Sequence, residues 1–417
     1  MLTKIIQTIF SKGIISIINF LVVLITARYI GASGRGEISI LFLNVTVILL
    51  FNDVIGGNAL VYLIPKKNPV SLLLPAVLVG VLTGFLLPLL FHLYFHFQIQ
   101  ELIYFILLAL LSNISSISNV FLNGLQKIKQ NNLASISQSV AIISSLVIQF
   151  FILNEISVFS FYRSLAFGYS VNLLISIFYL KDSFKHVSFS WIESFALMTR
   201  YGLMIQAGNI FQLLNYRFCY YVLDSANDLQ SKKNVGVFST ATSISEAIWV
   251  IMNGITMVQY VTLSNRDNKE LAINLTVKLA KISFALSVFA LLILTLLPTQ
   301  IFVFLFGNEF ADIKTYCMLL APGIAAYGFA GVYLHYFSAT GNMKLSATSA
   351  LVGLAITLPC SFILIPLFGA KGAAYTNCAS YIASSLFLLF MFKKQSQTSF
   401  YNLFFKWKKL LPLTHKQ

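Results

Sequence analysis

Charge is what this sequence has least of. Asp and Glu number 13 in 417 residues against 28 Lys and Arg, and charged residues together make up only 10%. Soluble domains carry about a quarter charged residues, so the shortage excludes a water-soluble globular protein. Cysteine is nearly absent: Cys219, Cys317, Cys360 and Cys378 stand singly, without a CxxC pair or a histidine at ligand spacing. That excludes a disulfide framework and a zinc site. Paired loop acids, a glycine-rich phosphate loop and a nucleophile elbow are all missing, so no catalytic residue, metal or cofactor is expected. The five histidines are scattered, and His92, His96 and His335 read as satisfied or interfacial groups. No small-residue cleavage site follows the first apolar run, which therefore reads as a retained helix.

What is present in excess is apolar. Hydrophobic residues make up 58% of the chain, and the mean hydropathy is +0.83. Apolar runs long enough to cross about 30 Å of hydrocarbon recur from end to end. They predict an all-α integral membrane protein with about twelve spans: 4–28, 36–64, 70–97, 101–125, 130–153, 157–180, 200–223, 235–262, 270–298, 312–339, 344–366 and 372–392. Lys66, Lys67, Lys127, Lys129, Lys181, Lys185, Arg200, Arg266, Lys269 and Lys344 fall in one set of connections, while those near Gln98, Asn154 and Asn308 carry no base. Positive residues mark cytoplasmic loops, so both termini are expected in the cytoplasm. The net charge of +15 is then topology and attraction to anionic membrane lipids, not nucleic acid. The tail 396–417 is basic and amphipathic, either an interfacial helix or a disordered basic segment.

The chain repeats itself. "GRGEISI", Gly34 to Ile40, and "NVGVFST", Asn234 to Thr240, each open the second span of a half. "FLNGLQKIKQ" from Phe121 and "FSATGNMKLS" from Phe337 each enter the fifth, with Gly124 set against Gly341. The order predicts two six-helix lobes, 1–185 and 186–395, related as parallel repeats with a substrate site between them.

"ITARYIGASGRGEISILF" (Ile25 to Phe42), "ATGNMK" (Ala339 to Lys344) and "LIPLFGAKGAAYTNCASY" (Leu364 to Tyr381) resemble the helix junctions of Wzx-type O-antigen and polysaccharide flippases. These belong to the MOP, or MATE-like, exporter superfamily, and with length and helix count the resemblance covers essentially the whole chain. It implies a MATE/MOP-like fold that moves undecaprenyl-pyrophosphate-linked oligosaccharide from the cytoplasmic to the periplasmic leaflet of the bacterial inner membrane by alternating access. It also implies a cleft lined by the first, second, seventh and eighth helices, a coupling proton or sodium, and glycan polymerase or chain-length proteins as partners. The lipid II flippases of the superfamily carry two further helices that this chain lacks.

Polar residues inside the spans are expensive and so mark candidate sites. Gln206, Asn209, Leu213, Arg217, Tyr220 and Asp224 step by three or four along span 7, and Glu246, Trp249, Asn253, Thr256 and Tyr260 do so along span 8. Lys12, Ser16 and Asn19 lie on span 1, Asn52 and Asp53 on span 2, and Asn113 and Ser116 on span 4. Pyrophosphate needs cations, and sugars need amides and aromatic faces. Lys12 and Arg217 are thus expected on phosphate, with Arg28 and Arg35 at the outer mouth. Asn19, Asn209, Tyr220, Tyr221, Trp249, Asn253 and Tyr260 are expected on sugar, and Asp53 and Glu246 in ion coupling. Lys12 and Arg28 alternatively snorkel to the interfaces, as does Arg163. Arg217 and Glu246 are at similar depth and are expected to pair, with pyrophosphate displacing the carboxylate, which then takes up a proton. Two other classes fit less well. An ion-coupled multidrug exporter of the same fold predicts a more acidic cavity, and a membrane polymerase or ligase predicts a large outer loop, which this sequence lacks.

Overall fold

The computed structural model describes residues 2–184, 191–264, 269–399, 401 and 403. Its first helix, α1, runs from Leu2 to Gly56 and is interrupted only at Gly31, with φ 83° and ψ 179°. Glycine adopts positive φ at little cost, so a single residue turns the chain. Spans one and two, expected to be joined by a loop, therefore meet at a kink, and "GRGEISI" is already helical. After a break at Gly57 follow α2 (Asn58–Leu63), α3 (Pro69–Phe95), α4 (Ile99–Gly124), α5 (Ile128–Val147), α6 (Val158–Leu180) and α7 (Trp191–Leu223). The remainder is α8 (Leu229–Glu246), α9 (Trp249–Ser264), α10 (Lys269–Leu296), the short α11 (Thr299–Phe306), α12 (Ile313–Ala339), α13 (Met343–Phe368) and α14 (Ala370–Ser396).

Among the described residues, ten segments are long and apolar enough to cross a membrane. The first, Phe10–Leu63, has 54 residues, enough at 1.5 Å per residue for two crossings. Helix α7 adds another with 33 residues. Its polar stripe keeps it from standing out by hydropathy. About twelve crossings result, as the apolar runs predict.

The helices form two compact units, Met1–Ile210 and Phe211–Gln417. The division falls inside α7, later than the expected boundary after residue 185. The cause is packing of the first half of α7 within unit 1. Met198 joins a buried cluster with Ile55, Leu60, Leu63 and Leu72, and Gly202 faces the main chain of α1 so closely that a Cβ there would sit 1.7 Å from the Val54 carbonyl oxygen. Unit 1 has a second apolar core around Phe105, Leu146, Phe150 and Phe161. In unit 2, Tyr333 stacks on Phe392 at 4.4 Å and binds α12 to α14.

The second repeated junction is a shared helix cap. Gln126 N–H donates to Asn123 O and Lys127 N–H to Leu122 O at the end of α4, and Gly341 N–H donates to Ser338 O and Asn342 N–H to Phe337 O at the end of α12. Each is a Schellman motif with its positive-φ residue at Gln126 or Gly341. The structural equivalent of Gly341 is thus Gln126, whereas the sequence pairing chose Gly124. Nearly all of the basic tail lies outside the described residues.

Candidate functional site

Glu246 is the last residue of α8, and the helix is interrupted before Trp249 opens α9. Arg217 reaches it from α7, Nη1 donating to Oε1 at 2.9 Å and Nη2 to Oε2 at 2.5 Å. The expected pairing is therefore present, as a two-pronged fork that fits carboxylate and phosphate alike. Tyr381 on α14 donates its hydroxyl to the same Oε1 at 2.7 Å. The guanidinium also lies 5.5 Å from the ring centre of Tyr220. The side chains keep 24% exposure at Arg217 and 12% at Glu246, so the pair is held by protein yet not sealed off.

Two sets of contacts fix this geometry. Asn215, fully buried one residue from Tyr216, accepts from Thr357 Oγ1 at 2.8 Å and from Ser380, and Asn377 Nδ2 donates to Tyr216 O at 3.3 Å. These bonds tie α7 to α13 and α14 as polar residues do between membrane helices. Beside them Tyr216, Trp249, Tyr327 and Tyr381 form an aromatic wall, Trp249 lying 4.6 Å from Tyr327 and 5.3 Å from Tyr381. The Trp249 indole N–H donates to Ile324 O at 3.2 Å.

This wall corrects part of the sequence reading. Trp249 keeps 8% of its surface exposed and Tyr220 4%, so neither offers a free face to a sugar in this structure. Their large apolar areas are buried against other rings, and the polar handle of Trp249 is met by backbone. Tyr216, Tyr327 and Tyr381 were missed as site residues. No charge marks their helical faces, although Tyr381 closes a motif that carries the family resemblance. Asn253 is exposed on α9, while the Tyr260 side chain lies outside the described ones.

Unit 1 holds a second polar cluster. Asp53 Oδ1 accepts from Asn52 Nδ2 and from Ser116 Oγ, each at 3.3 Å. Its main-chain oxygen accepts from Gly57 N–H at 3.1 Å and from Gln206 Nε2 at 3.2 Å. Gln206 Oε1 in turn accepts from Asn209 at 2.8 Å, and Asn209 is itself exposed. Lys12 and Asn19 lie exposed along α1, and Arg28 is exposed beyond them. Arg35 does not stand on an open rim as expected: it is buried at 8% exposure, drawn inside by the kink at Gly31 that continues the helix through it. Arg163 pairs with Glu155 rather than simply snorkelling.

These helices define a multi-pass membrane protein with the architecture of MATE and MOP transporters. An inward-facing multidrug resistance transporter of the MATE family and MOP superfamily superposes with a TM-score of 0.74 at 12% identity, over 92% of this chain and 94% of its own. The lipid II flippase MurJ in an inward closed conformation gives 0.69 at 17% identity, over 94% and 88%. The Vibrio cholerae MATE transporter VcmN gives 0.60 at 13%, over 97% and 98%. At such identities the likeness establishes the fold. The sequence matches the family model described as polysaccharide biosynthesis protein over residues 1–265, and the chain belongs to that family. No curated protein sequence matches it.

Proposed function

We propose that the protein is a flippase for undecaprenyl-pyrophosphate-linked oligosaccharide, of the O-antigen repeat-unit kind, working by alternating access in the bacterial inner membrane with both termini cytoplasmic. Family membership and the fold shared with a lipid II flippase support the reading. The observation that carries it is the Arg217–Glu246 fork. An arginine inside the membrane that already binds two carboxylate oxygens can exchange them for two phosphate oxygens without new geometry. Release of Glu246 from Arg217 is then the event that couples cargo entry to ion movement. Asp53 is the second ion-coupling candidate. Lys12, Asn19, Arg28, Asn209 and Asn253, all exposed, are the remaining candidates for contact with phosphate and sugar. Membrane lipids surround the carrier, and glycan polymerase or chain-length proteins are the partners that would take its product.

The multidrug exporter of the same fold remains the second reading, favoured by the likeness to MATE transporters. A polymerase or ligase would be an enzyme, and the reading proposed here is transport alone. Expression in cells lacking their own flippase decides among them: lipid-linked repeat units should reach the outer leaflet. Stalled units with restored drug efflux would establish the exporter, and stalled export with restored polymerisation would establish the enzyme.

A further inference from the structure

Polar side chains gather in unit 1 where α1, α3 and α4 meet. The carboxylate of Asp53 receives two hydrogen bonds of 3.3 Å from neutral groups, long for an ionised acceptor. Among the described residues no Lys or Arg pairs with it. Asn52 and Asn113 are fully buried, at 0% exposure, yet the Oδ1 of each accepts no hydrogen bond from the described residues. A buried acceptor without a partner is costly. Asn113 spends its amide N–H groups on Gly80 O at 2.9 Å and Thr83 Oγ1 at 3.1 Å. Gly80 keeps the two amides close: a Cβ there would lie 3.1 Å from Asn52 Oδ1 and 3.7 Å from Asn113 Cβ. Helix α1 ends at Gly56, three residues past Asp53, and the carbonyl end of a helix carries partial negative charge.

We propose that Asp53, Ser116, Asn52 and Asn113 bind one dehydrated monovalent cation of the size of Na+. Every donor is an oxygen, the ligand set of hard cations. One carboxylate balances one charge, so a divalent ion would leave an unmet positive charge in an apolar surrounding. A proton on Asp53 would settle the carboxylate and leave both amide oxygens unmet. Half a turn of the Asn52 amide exchanges its N–H2 and oxygen ends, which brings Oδ1 toward Asp53 with the cation between them. The interrupted helix is the setting in which membrane carriers present such oxygens. This identifies the ion for the coupling role proposed above for Asp53, and it rests on that assignment.

The test is thermal unfolding of the full-length purified chain in detergent, with NaCl exchanged for choline chloride at constant ionic strength and pH. Na+ should raise the melting temperature in step with ln(1 + [Na+]/Kd), by about 2 °C or more at tenfold above Kd. Asp53→Asn should abolish the rise, and Ser116→Ala and Asn113→Ala should each raise the Kd fitted to it at least about threefold. Arg217→Ala should retain it. No Na+ effect on the wild type, an equal effect of choline, or an unchanged rise in Asp53→Asn overturns the proposal. If Asp53→Asn does not fold, an unchanged fitted Kd in both other variants overturns it. Export without Na+ binding would sink the cation site alone, and Na+ binding without export would sink the flippase reading alone.

Discussion

The two units take the same step of the chain differently. In unit 1 the first and second spans are one helix bent at Gly31, whereas in unit 2 a loop separates α7 from α8 and Asp228 caps the new helix. Both then interrupt the second span beside an acid, Asp53 just before Gly57 and Glu246 at the end of α8. Glu246 is gripped by Arg217 and Tyr381, but among the described residues Asp53 meets only neutral donors. The backbone device is shared and the charge arrangement is not. A break in a membrane helix exposes main-chain polar groups and tolerates an acid nearby; what the acid does depends on the helices facing it. Unit 2 supplies a cationic partner, and among the described residues unit 1 supplies neutral hydrogen-bond donors.

The largest effect should come from breaking the unit 2 pair. Arg217→Ala is expected to lower export more than tenfold, and to destabilise the protein by about 3–5 kcal/mol because Glu246 is left without its cation. Replacing both residues by Met separates the two outcomes. The double variant should recover most of the stability, measured by thermal unfolding, and none of the export. Normal export by the double variant would remove the basis for exchange at this site, while Arg217→Lys should retain part of it. In unit 1 the comparable damage is steric. Gly202→Ala would push a methyl group against the Val54 carbonyl next to Asp53, at a cost of about 1–3 kcal/mol. An unchanged melting temperature would show that α7 does not need this close approach.

Much of this contrast was legible before the structure, and the reasons it was not all legible are physical. Span count follows from apolar length, which one dimension records. Spacing by three or four placed Arg217 and Glu246 on polar stripes, and depth from the cytoplasmic ends made them partners. Spacing along one helix says nothing about which aromatic comes from another. Tyr381 and Tyr327 reach the site from α14 and α12, and no charge singles them out. Trp249 lies on the polar stripe but is turned into ring packing, because a large apolar surface gains more from neighbours than from a wet cleft. The Gly31 kink and the Gln126 cap were hidden for another reason. A helix continues through small and polar residues when packing permits, and a non-glycine residue can hold positive φ when the cap bonds repay the strain.

Smaller changes sharpen the grip on Glu246. Tyr381→Phe removes one hydrogen bond to the carboxylate and leaves the ring in place, costing about 1–2 kcal/mol and weakening export less than Arg217→Ala does. Trp249→Phe should retain most export because the wall needs a ring there, whereas Trp249→Ala should lower stability by about 3–5 kcal/mol. Loss of export in a stable Trp249→Phe would restore a direct sugar contact for the indole.

The smallest effect is expected at the junction that only unit 2 possesses. Asp228 accepts the Ser231 N–H at 2.7 Å, and Ser231 Oγ returns a bond from the Asp228 N–H at 3.0 Å. The Ser231 N–H and hydroxyl favour the ionised carboxyl, which is held below its usual value. A depressed acid contributes stability above its unfolded value, near 3.9, and loses that contribution as pH falls through the lower folded value. The melting temperature of Asp228→Ala should therefore lie below wild type by a constant amount from pH 7 to about pH 5. The gap should close only below about pH 4. Asp228→Asn, which keeps an acceptor at the cap, should fall between the two at neutral pH and vary less with acid. Export should be unaffected in both, since the cap only starts α8 and the charge pair lies at its other end. A gap that widens on acidification would mean that the carboxyl is held protonated, and that the α7–α8 loop differs from the unit 1 kink in more than its cap.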